Sequence, residues 1–431
     1  MSLALIAILM IAACFVLVLS KKVHMIIPFI VIPIIFALVA GFSLSEVSSF
    51  VVDGVSSTNN AVLLILFSVA YFSILSETGM FDIIVNRITK LTKNNIYVVL
   101  LCTVLVAMIG HLDGAYNTTY LITIPTLLPL YKKLHIDSRI LMLLTVMGAT
   151  VMCVAPWGAS IVQLTPFAGV EANVLSQRLL PFAGVAFVLA VVSALMFGFS
   201  ASKQNKNIVL SSGTADAEKE LDFSDKPNAR PKLFAVNLII FVASIVCLFL
   251  VKIQVYIIFM LFTSLTLIIN YRDVKDQGAL IRKYSATMLA PALLFMSIGV
   301  MVGIMQGTGM VEAVIDVVLN AIPESMARYT HVIFGLLLVP IYLVLPYQVM
   351  LPIYPILTGI GQSLGISPVS IMMVFALQYG TACSPLVAAT NLGSELAGVN
   401  VIDHMKFSAP RCWLCSAILV LAMVISGAAF L

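Results

Sequence analysis

The chain has 431 residues, of which 61% are hydrophobic and 10% are charged, and its formal net charge is +4. Soluble domains carry roughly twice that share of charged residues, so the composition excludes a water-soluble globular protein. Most of the basic residues flank apolar stretches, which relates them to membrane topology and gives no case for a nucleic-acid partner.

Continuous apolar stretches recur along the chain, and a membrane-spanning helix needs about 20 such residues. Backbone groups in lipid must be hydrogen-bonded within the segment, and continuous rather than alternating hydrophobicity favours helices over a β-barrel. The first stretch is followed by Lys21 and Lys22, the reverse of the flanks of a secretory signal, so we expect it to be retained. The predicted spans are Leu3–Ser20, Val23–Phe42, Ala61–Leu75, Leu180–Ser200, Leu233–Val251, Val255–Asn270, Leu289–Met305 and Trp413–Phe430.

One polar stretch, Ala201–Lys232, interrupts this pattern with "SKQNKN" and "DAEKELDFSDK". It is too polar to pack a core, which predicts a flexible linker. The linker separates a first transmembrane repeat, 1–200, from a second, 233–431.

Sequence blocks recur in the same order in the two halves. The tripeptide Thr-Gly-Met occurs at 78–80 and again 230 residues later at 308–310. Pro156 matches Pro385, and Gly169 matches Gly398, both 229 residues apart. Apolar low complexity does not account for matched glycines and prolines, so the sequence predicts a duplicated unit.

Charge predicts how the halves are oriented. If Lys21 and Lys22 are cytoplasmic, all of the 23 basic residues fall in cytoplasmic segments except Arg178, Lys252 and Arg328. The central linker is then also cytoplasmic. Basic clusters flank both ends of 96–130, which predicts a re-entrant hairpin that enters from the cytoplasm, with the tip "GHLDGAYNTT".

The counterpart of this hairpin, 331–363, has the tip "LPYQV" and flanks poor in Lys and Arg, so we expect it to enter from the other face. Each hairpin precedes an interrupted transmembrane helix, 140–172 with the break "APWGAS" and 371–395 with the break "TACSP". Proline removes a backbone donor, and freed carbonyls are tolerated in a membrane where they line a cavity. The predicted fold is therefore an all-α polytopic membrane protein with two inverted-topology repeats.

Asp113 is the acid predicted at membrane depth, where a carboxylate costs at least about 2.5 kcal/mol and is functional by default. We expect Asp113 and His111 to couple transport to protons or another cation, and Asp113 to contact any metal. Polar side chains at the tips and breaks are the candidate substrate-binding residues: Asn117, Thr118, Thr119, Ser160, Gln163, Tyr347, Gln348, Gln378, Thr381, Ser384, Thr390 and Asn391.

No Lys or Arg falls in this predicted cavity. Three kinds of substrate remain: a neutral solute, a cation, or an anion whose charge is cancelled by a bound metal or by co-transported protons. Helix N-termini at the breaks could hold residual negative charge. No nucleophile, base or metal constellation of an enzyme is present, so we predict a transporter and not an enzyme.

These residues resemble the citrate–metal–proton symporter family of the ion-transporter superfamily. The matching motifs are Leu112-Asp113-Gly114 with Thr118-Thr119-Tyr120, the break Pro156-Trp157-Gly158, and the late blocks Ser384-Pro385-Leu386, Ala397-Gly398-Val399 and Asp403-His404. The resemblance implies import of citrate as a divalent-metal complex (Mg²⁺ or Ca²⁺) together with protons, with no permanently bound cofactor.

The chain also departs from the family pattern. Ala115 replaces the second Asp of the hairpin signature, Tyr116 stands where Gly is expected, and the apolar "YLVLPY" replaces an acid before the second tip. A sodium/proton antiporter, or a carboxylate symporter that needs no metal, therefore stays an alternative. We expect a multi-pass protein of the plasma membrane bilayer that forms a homodimer. The expected static scaffold and dimer contact are the spans Val23–Phe42, Ala61–Leu75, Val255–Asn270 and Leu289–Met305.

Overall fold

A computed structural model describes residues 2–20, 22–92, 95–205, 223, 226–251, 253–377 and 379–431. The described chain is helical, which confirms the all-α fold class. Six helices in this part are long and apolar enough to cross a membrane, or seven if one bent pair counts as a single span. The predicted substrate residue Gln378, the basic residues Lys21, Lys93 and Lys252, and the linker positions 206–222 lie outside the described residues.

The first half contains, in its described part, α1 (Leu3–Ser20), α2 (Ile26–Val39), α3 (Leu44–Glu77), α4 (Met80–Lys90), α5 (Ile96–Gly110), α6 (Tyr116–Lys133), α7 (Ser138–Met152), α8 (Ala159–Ala168) and α9 (Ala172–Asn205). Local sequence sets several of these ends. Ser43 and Glu46 form a capping box at the start of α3, and Asp137 accepts a hydrogen bond from the Arg139 amide at the start of α7. The last helix extends five residues into the predicted linker.

The second half contains α10 (Phe234–Leu250), α11 (Val255–Asn270), α12 (Val274–Gly307), α13 (Met310–Ala321), the short α14 (Glu324–Ala327), α15 (Thr330–Val344), α16 (Tyr354–Ser363), α17 (Pro368–Ala376), α18 (Ala388–Ala397) and α19 (Val401–Ile425). Apart from α14, the order repeats that of the first half. The 34-residue helix α3 matches the 34-residue α12. Gly79 and Gly309, with φ of 80° and 73°, connect these helices to α4 and α13.

The matching helices α3 and α12 pack against each other along their length and run antiparallel. Glu77 at the end of α3 forms an ion pair of 2.8 Å with Lys283 near the start of α12. At the opposite end, Phe50 of α3 lies against Gly307 of α12. Between them Gly54 meets the backbone of α12 so closely that a Cβ would lie 2.7 Å from the Gly303 Cα, so only glycine permits this approach.

Paired helices lie at the positions of the two predicted hairpins and of the two predicted interrupted helices. Helices α5 and α6 pack as one hairpin, and α15 and α16 occupy the matching place in the second half. At 1.5 Å per residue the 15-residue α5 is about 22 Å long, which is shorter than the hydrocarbon core of about 30 Å. Helices α7 and α8 are separated by residues 153–158, and α17 and α18 by residues 377–387, which include a 3₁₀ turn at Thr381–Cys383.

Candidate functional site

The tip of the first hairpin, residues 111–115, is the centre of the candidate site. Asp113 lies in the turn, and its carboxylate accepts hydrogen bonds from the Ala115 amide at 2.9 Å and from the Thr118 hydroxyl. Gly114 has a φ of 74°, and a Cβ there would lie 3.1 Å from the Gly158 Cα. The turn therefore needs glycine both for its left-handed backbone and for its contact with the break between α7 and α8.

The same tip is fastened to the first break by Trp157. The indole Nε1 donates to the Leu112 carbonyl at 2.5 Å, and the ring stacks on Phe72 of α3 with 5.4 Å between centroids. Ser160, on the first turn of α8, hydrogen-bonds with Cys153 before the break. The predicted residues Asp113 and Ser160 thus belong to two segments in direct contact.

His111 ends α5 and is 3% exposed. Its Nδ1 lies 2.7 Å from the Thr119 Oγ1, and its Nε2 lies 3.8 Å from the Cys153 Sγ. The Thr119 hydroxyl is also 2.9 Å from the Ala115 carbonyl. Nδ1 therefore connects the two arms of the first hairpin, while Nε2 connects the hairpin to the first break.

Two tyrosines connect the first hairpin to the second break. The Tyr116 hydroxyl lies 3.8 Å from the Cys153 Sγ and also hydrogen-bonds with Thr381. One turn along α6, the buried Tyr120 hydroxyl donates to the Ala382 carbonyl at 3.1 Å. The structure thus brings the first tip into contact with both breaks, and Tyr116 does so at a position where the resembled family has glycine.

The second break satisfies its freed backbone groups with nearby side chains. The Asn391 amide donates to the Pro385 carbonyl at 2.9 Å, and the Ser384 hydroxyl accepts from the Leu386 amide at 3.2 Å. Thr390 is fully buried, and its side chain hydrogen-bonds with the Tyr120 hydroxyl. Thr390 therefore places a hydroxyl beside the contact between the first hairpin and the second break.

The tip of the second hairpin contacts the first half. Tyr347 hydrogen-bonds with Gln163 of α8 and with Gln348. The Gln348 amide lies 3.5 Å from the Met25 sulfur at the start of α2. Each tip therefore reaches an interrupted helix of the other half, while Asn117, the remaining candidate residue, is exposed at the start of α6.

Sequence reasoning missed three side chains that build this centre: Tyr116, Tyr120 and Trp157. Tyr116 and Tyr120 are four residues apart, which places them on one face of α6, and this spacing was the available signal. In the described part of the chain, no three His, Cys, Asp or Glu side chains are grouped so that they could hold a metal ion. The segments 111–119, 153–163, 345–353 and 376–391 contain no Lys or Arg.

Apolar helices able to cross a membrane, with hairpin tips and interrupted helices meeting at one polar centre, define a multi-pass membrane transport protein. The chain belongs to the citrate transporter family, whose model matches residues 15–378. The family resemblance found in the sequence motifs is thereby confirmed, as is the prediction of a transporter and not an enzyme.

Curated relatives agree with this assignment, and one solved structure shares the fold. The chain is 28% identical over 424 residues to a Mg²⁺/citrate complex secondary transporter of Bacillus subtilis (strain 168), covering 98% of this chain and 97% of the relative. It is also 28% identical to a citrate transporter of the same organism over 396 residues, 91% of each chain. The YdaH transporter of Alcanivorax borkumensis matches in fold with a TM-score of 0.63, at 12% identity and 89% coverage of both chains.

Proposed function

We propose that this protein is a secondary active transporter that imports citrate or a related carboxylate as a complex with a divalent metal, together with protons. The observation that carries the proposal is Asp113, a carboxylate at the hairpin tip between two breaks, with no Lys or Arg in the segments around it. A free polycarboxylate would face this charge without compensation. A divalent metal bound to the substrate would offset most of this charge and would present a cation to the Asp113 carboxylate.

The side chains at the centre suit such a complex. Asp113 supplies one oxygen ligand to a hard cation such as Mg²⁺ or Ca²⁺, and the hydroxyls of Thr381 and Thr390 can bond to carboxylate or hydroxyl groups of the substrate. Because a single acid cannot hold the metal, we infer that the remaining ligands come from the substrate and water. The metal is then cargo and not a resident cofactor. The name of the Mg²⁺/citrate relative supports this choice of substrate.

We assign proton coupling to Asp113 and His111. Protonation of His111 would convert its acceptor nitrogen into a donor and disturb one of its contacts with Thr119 or Cys153. The charge of the ring is therefore linked to the geometry of the tip and the first break.

We also infer that the two repeats are inverted in the membrane, with the linker in the cytoplasm. The antiparallel packing of the matching helices α3 and α12 supports this, because repeats of the same orientation would place those helices parallel. In inverted repeats the site is alternately exposed when the halves exchange conformations. The hairpins and interrupted helices then move as one unit against α3 and α12. A homodimer formed through α3 and α12 would hold these two helices in place.

Uptake into proteoliposomes tests the substrate directly. A panel of labelled carboxylates is presented with Mg²⁺, with Ca²⁺ and with a chelator, each with and without an inward proton gradient. We expect citrate uptake that needs the metal and rises with the gradient. Uptake of carboxylate that is unaffected by chelation would favour a metal-free symporter, and sodium-dependent proton flux without citrate would favour an antiporter.

A further inference from the structure

A cavity of about 410 Å³ lies away from the hairpin tips, where three elements meet. Its walls are the middle of α3, the end of α8 with the turn into α9, and the start of α11. The side chains with polar groups that line it are Ser57, Asn60, Thr165, Glu171, Gln254 and Tyr256. The cavity opens beside α8, the helix that carries Gln163 of the candidate site two residues before Thr165.

The polar wall of this cavity occurs in one repeat and not in the other. Residues 56–60 of α3 read Ser-Ser-Thr-Asn-Asn, whereas the matching residues 286–290 of α12, 230 positions later, read Ala-Thr-Met-Leu-Ala. Ser57 and Asn60 are exposed in the structure. This polar segment comes directly before the apolar stretch of α3 that begins at Ala61, and two of its residues give the cavity a polar wall on α3.

Glu171 gives the cavity its charge. It is the acidic residue among the described lining residues, which include no Lys or Arg, and its Oε1 accepts a hydrogen bond of 2.6 Å from the Gln254 Nε2. The bond connects the turn after α8 with the start of α11 across the cavity. At the matching turn in the second half, Asn400 replaces the acid and accepts from the Ile402 amide at 2.8 Å. The acidic residue and the polar segment of α3 therefore both belong to the first half of the chain, and the matching positions of the second half lack them.

We propose that this cavity is the access vestibule for the solute and that Glu171 makes it selective for cations and metal-neutralised carboxylates over free polycarboxylates. The identity of the ligand rests on the proposed function, whereas the vestibule itself does not. A divalent metal removes two negative charges from the carboxylate. At a separation of about 8 Å in water, that difference corresponds to a preference of about fivefold at low ionic strength and about twofold at physiological ionic strength.

Cysteine modification tests the vestibule without any transport measurement. Purified Asn60→Cys is reacted with a cationic and an anionic methanethiosulfonate reagent of similar size, and the two rates are compared by mass spectrometry. Ala290→Cys is the matched control on α12, and the unsubstituted chain controls for its seven native cysteines. We expect Asn60→Cys to react faster than the control and to prefer the cationic reagent. Adding Glu171→Gln should remove that preference, whereas Glu171→Asp should retain it.

Two results would overturn the proposal: modification of Asn60→Cys no faster than that of Ala290→Cys, or a cation preference that survives Glu171→Gln. A transport arm then tests the ligand. In Glu171→Gln, metal-free citrate should become a stronger inhibitor of uptake of the metal complex by about twofold to fivefold, with the larger change at low salt. If the unsubstituted chain does not take up the complex, the proposed function is wrong. The modification rates of the cysteine variants still test whether the cavity is an accessible, cation-selective vestibule.

Discussion

The two hairpins occupy matching places in the two halves, but their tips carry different chemistry. The first tip holds Asp113 and His111, fixed to the first break by Gly114 and Trp157. The second tip holds Tyr347 and Gln348, which reach α8 and α2 without any charged group. A second carboxylate at membrane depth would cost at least about 2.5 kcal/mol. The two halves thus share the arrangement of their helices, whereas only the first of the two tips carries a carboxylate.

Among these variants, replacement of Asp113 at the charged tip should have the largest effect on uptake. Asp113→Asn keeps a side-chain oxygen for the Ala115 amide and the Thr118 hydroxyl, so we expect the hairpin to fold. Loss of a contact to a charged group, which contributes about 1.5–3 kcal/mol, predicts about 10-fold to 150-fold slower uptake of the metal–carboxylate complex. Initial uptake rates across pH, with gel filtration to verify folding, provide the measurement. Normal uptake with an unchanged pH profile would refute a coupling role for Asp113.

The α3–α12 pair also has one charged end and one apolar end, and the charged end should contribute measurably to the stability of the protein. Glu77 is buried and contacts Lys283, Tyr284 and Asn228, whereas the other end of the pair is closed by the apolar contact of Phe50 with Gly307. Glu77→Gln should lower the free energy of unfolding by about 1–3 kcal/mol, because a carboxylate with several donors is replaced by a neutral amide. Thermal unfolding in detergent measures the change. An unaltered Tm would show that the network adds no stability.

A smaller effect is expected at the second tip. Gln348→Ala removes a neutral side chain whose contacts are Tyr347 and the Met25 sulfur. Neutral hydrogen bonds contribute about 1 kcal/mol, which predicts about fivefold weaker uptake. Measured in the same vesicles as Asp113→Asn, a loss as large as that of Asp113→Asn would mean that the two tips are chemically equivalent.

The smallest effect is expected in the linker. Shortening 206–222 should leave uptake and stability unchanged, because this stretch is polar and joins two membrane-embedded halves. The end of the linker differs: Lys226 pairs with Asp82 at 2.6 Å, and the Arg230 amide donates to the Thr78 carbonyl at 2.8 Å. Removing 226–230 should therefore lower the Tm. Loss of uptake in a well-expressed variant shortened within 206–222 would reveal a role for that segment.

Much of the fold could be predicted because glycine and proline positions repeat at an offset of 229 or 230 residues and mark the turns and breaks. The length of α3 could not be predicted. The apolar stretch begins at Ala61, whereas the helix begins at Leu44, since hydropathy reports which residues face lipid and not where a helix starts. Ser57 and Asn60 line a cavity, and hydropathy could not predict this.

In the candidate site, too, some features could be predicted from the sequence and others could not. Asp113 follows from its isolation between two apolar arms, and the structure places it at the tip. The contacts of Tyr120 with Ala382 and of Tyr347 with Gln163 join opposite halves of the chain. Periodicity shows which residues share a helix face, but it does not show which distant helix will pack there.

Exposure of the first tip tests the central claim, that one polar centre is reached alternately from the two sides. Asn117→Cys, exposed at the start of α6, is labelled with a membrane-impermeant thiol reagent from each side under inward and outward gradients. Ile65→Cys on α3 is the control, because Ile65 is 4% exposed and lies on a helix that we propose to be static. We predict that Asn117→Cys changes the side from which it is labelled, while Ile65→Cys does not change. Labelling of Asn117→Cys from one face alone under both gradients would contradict the account.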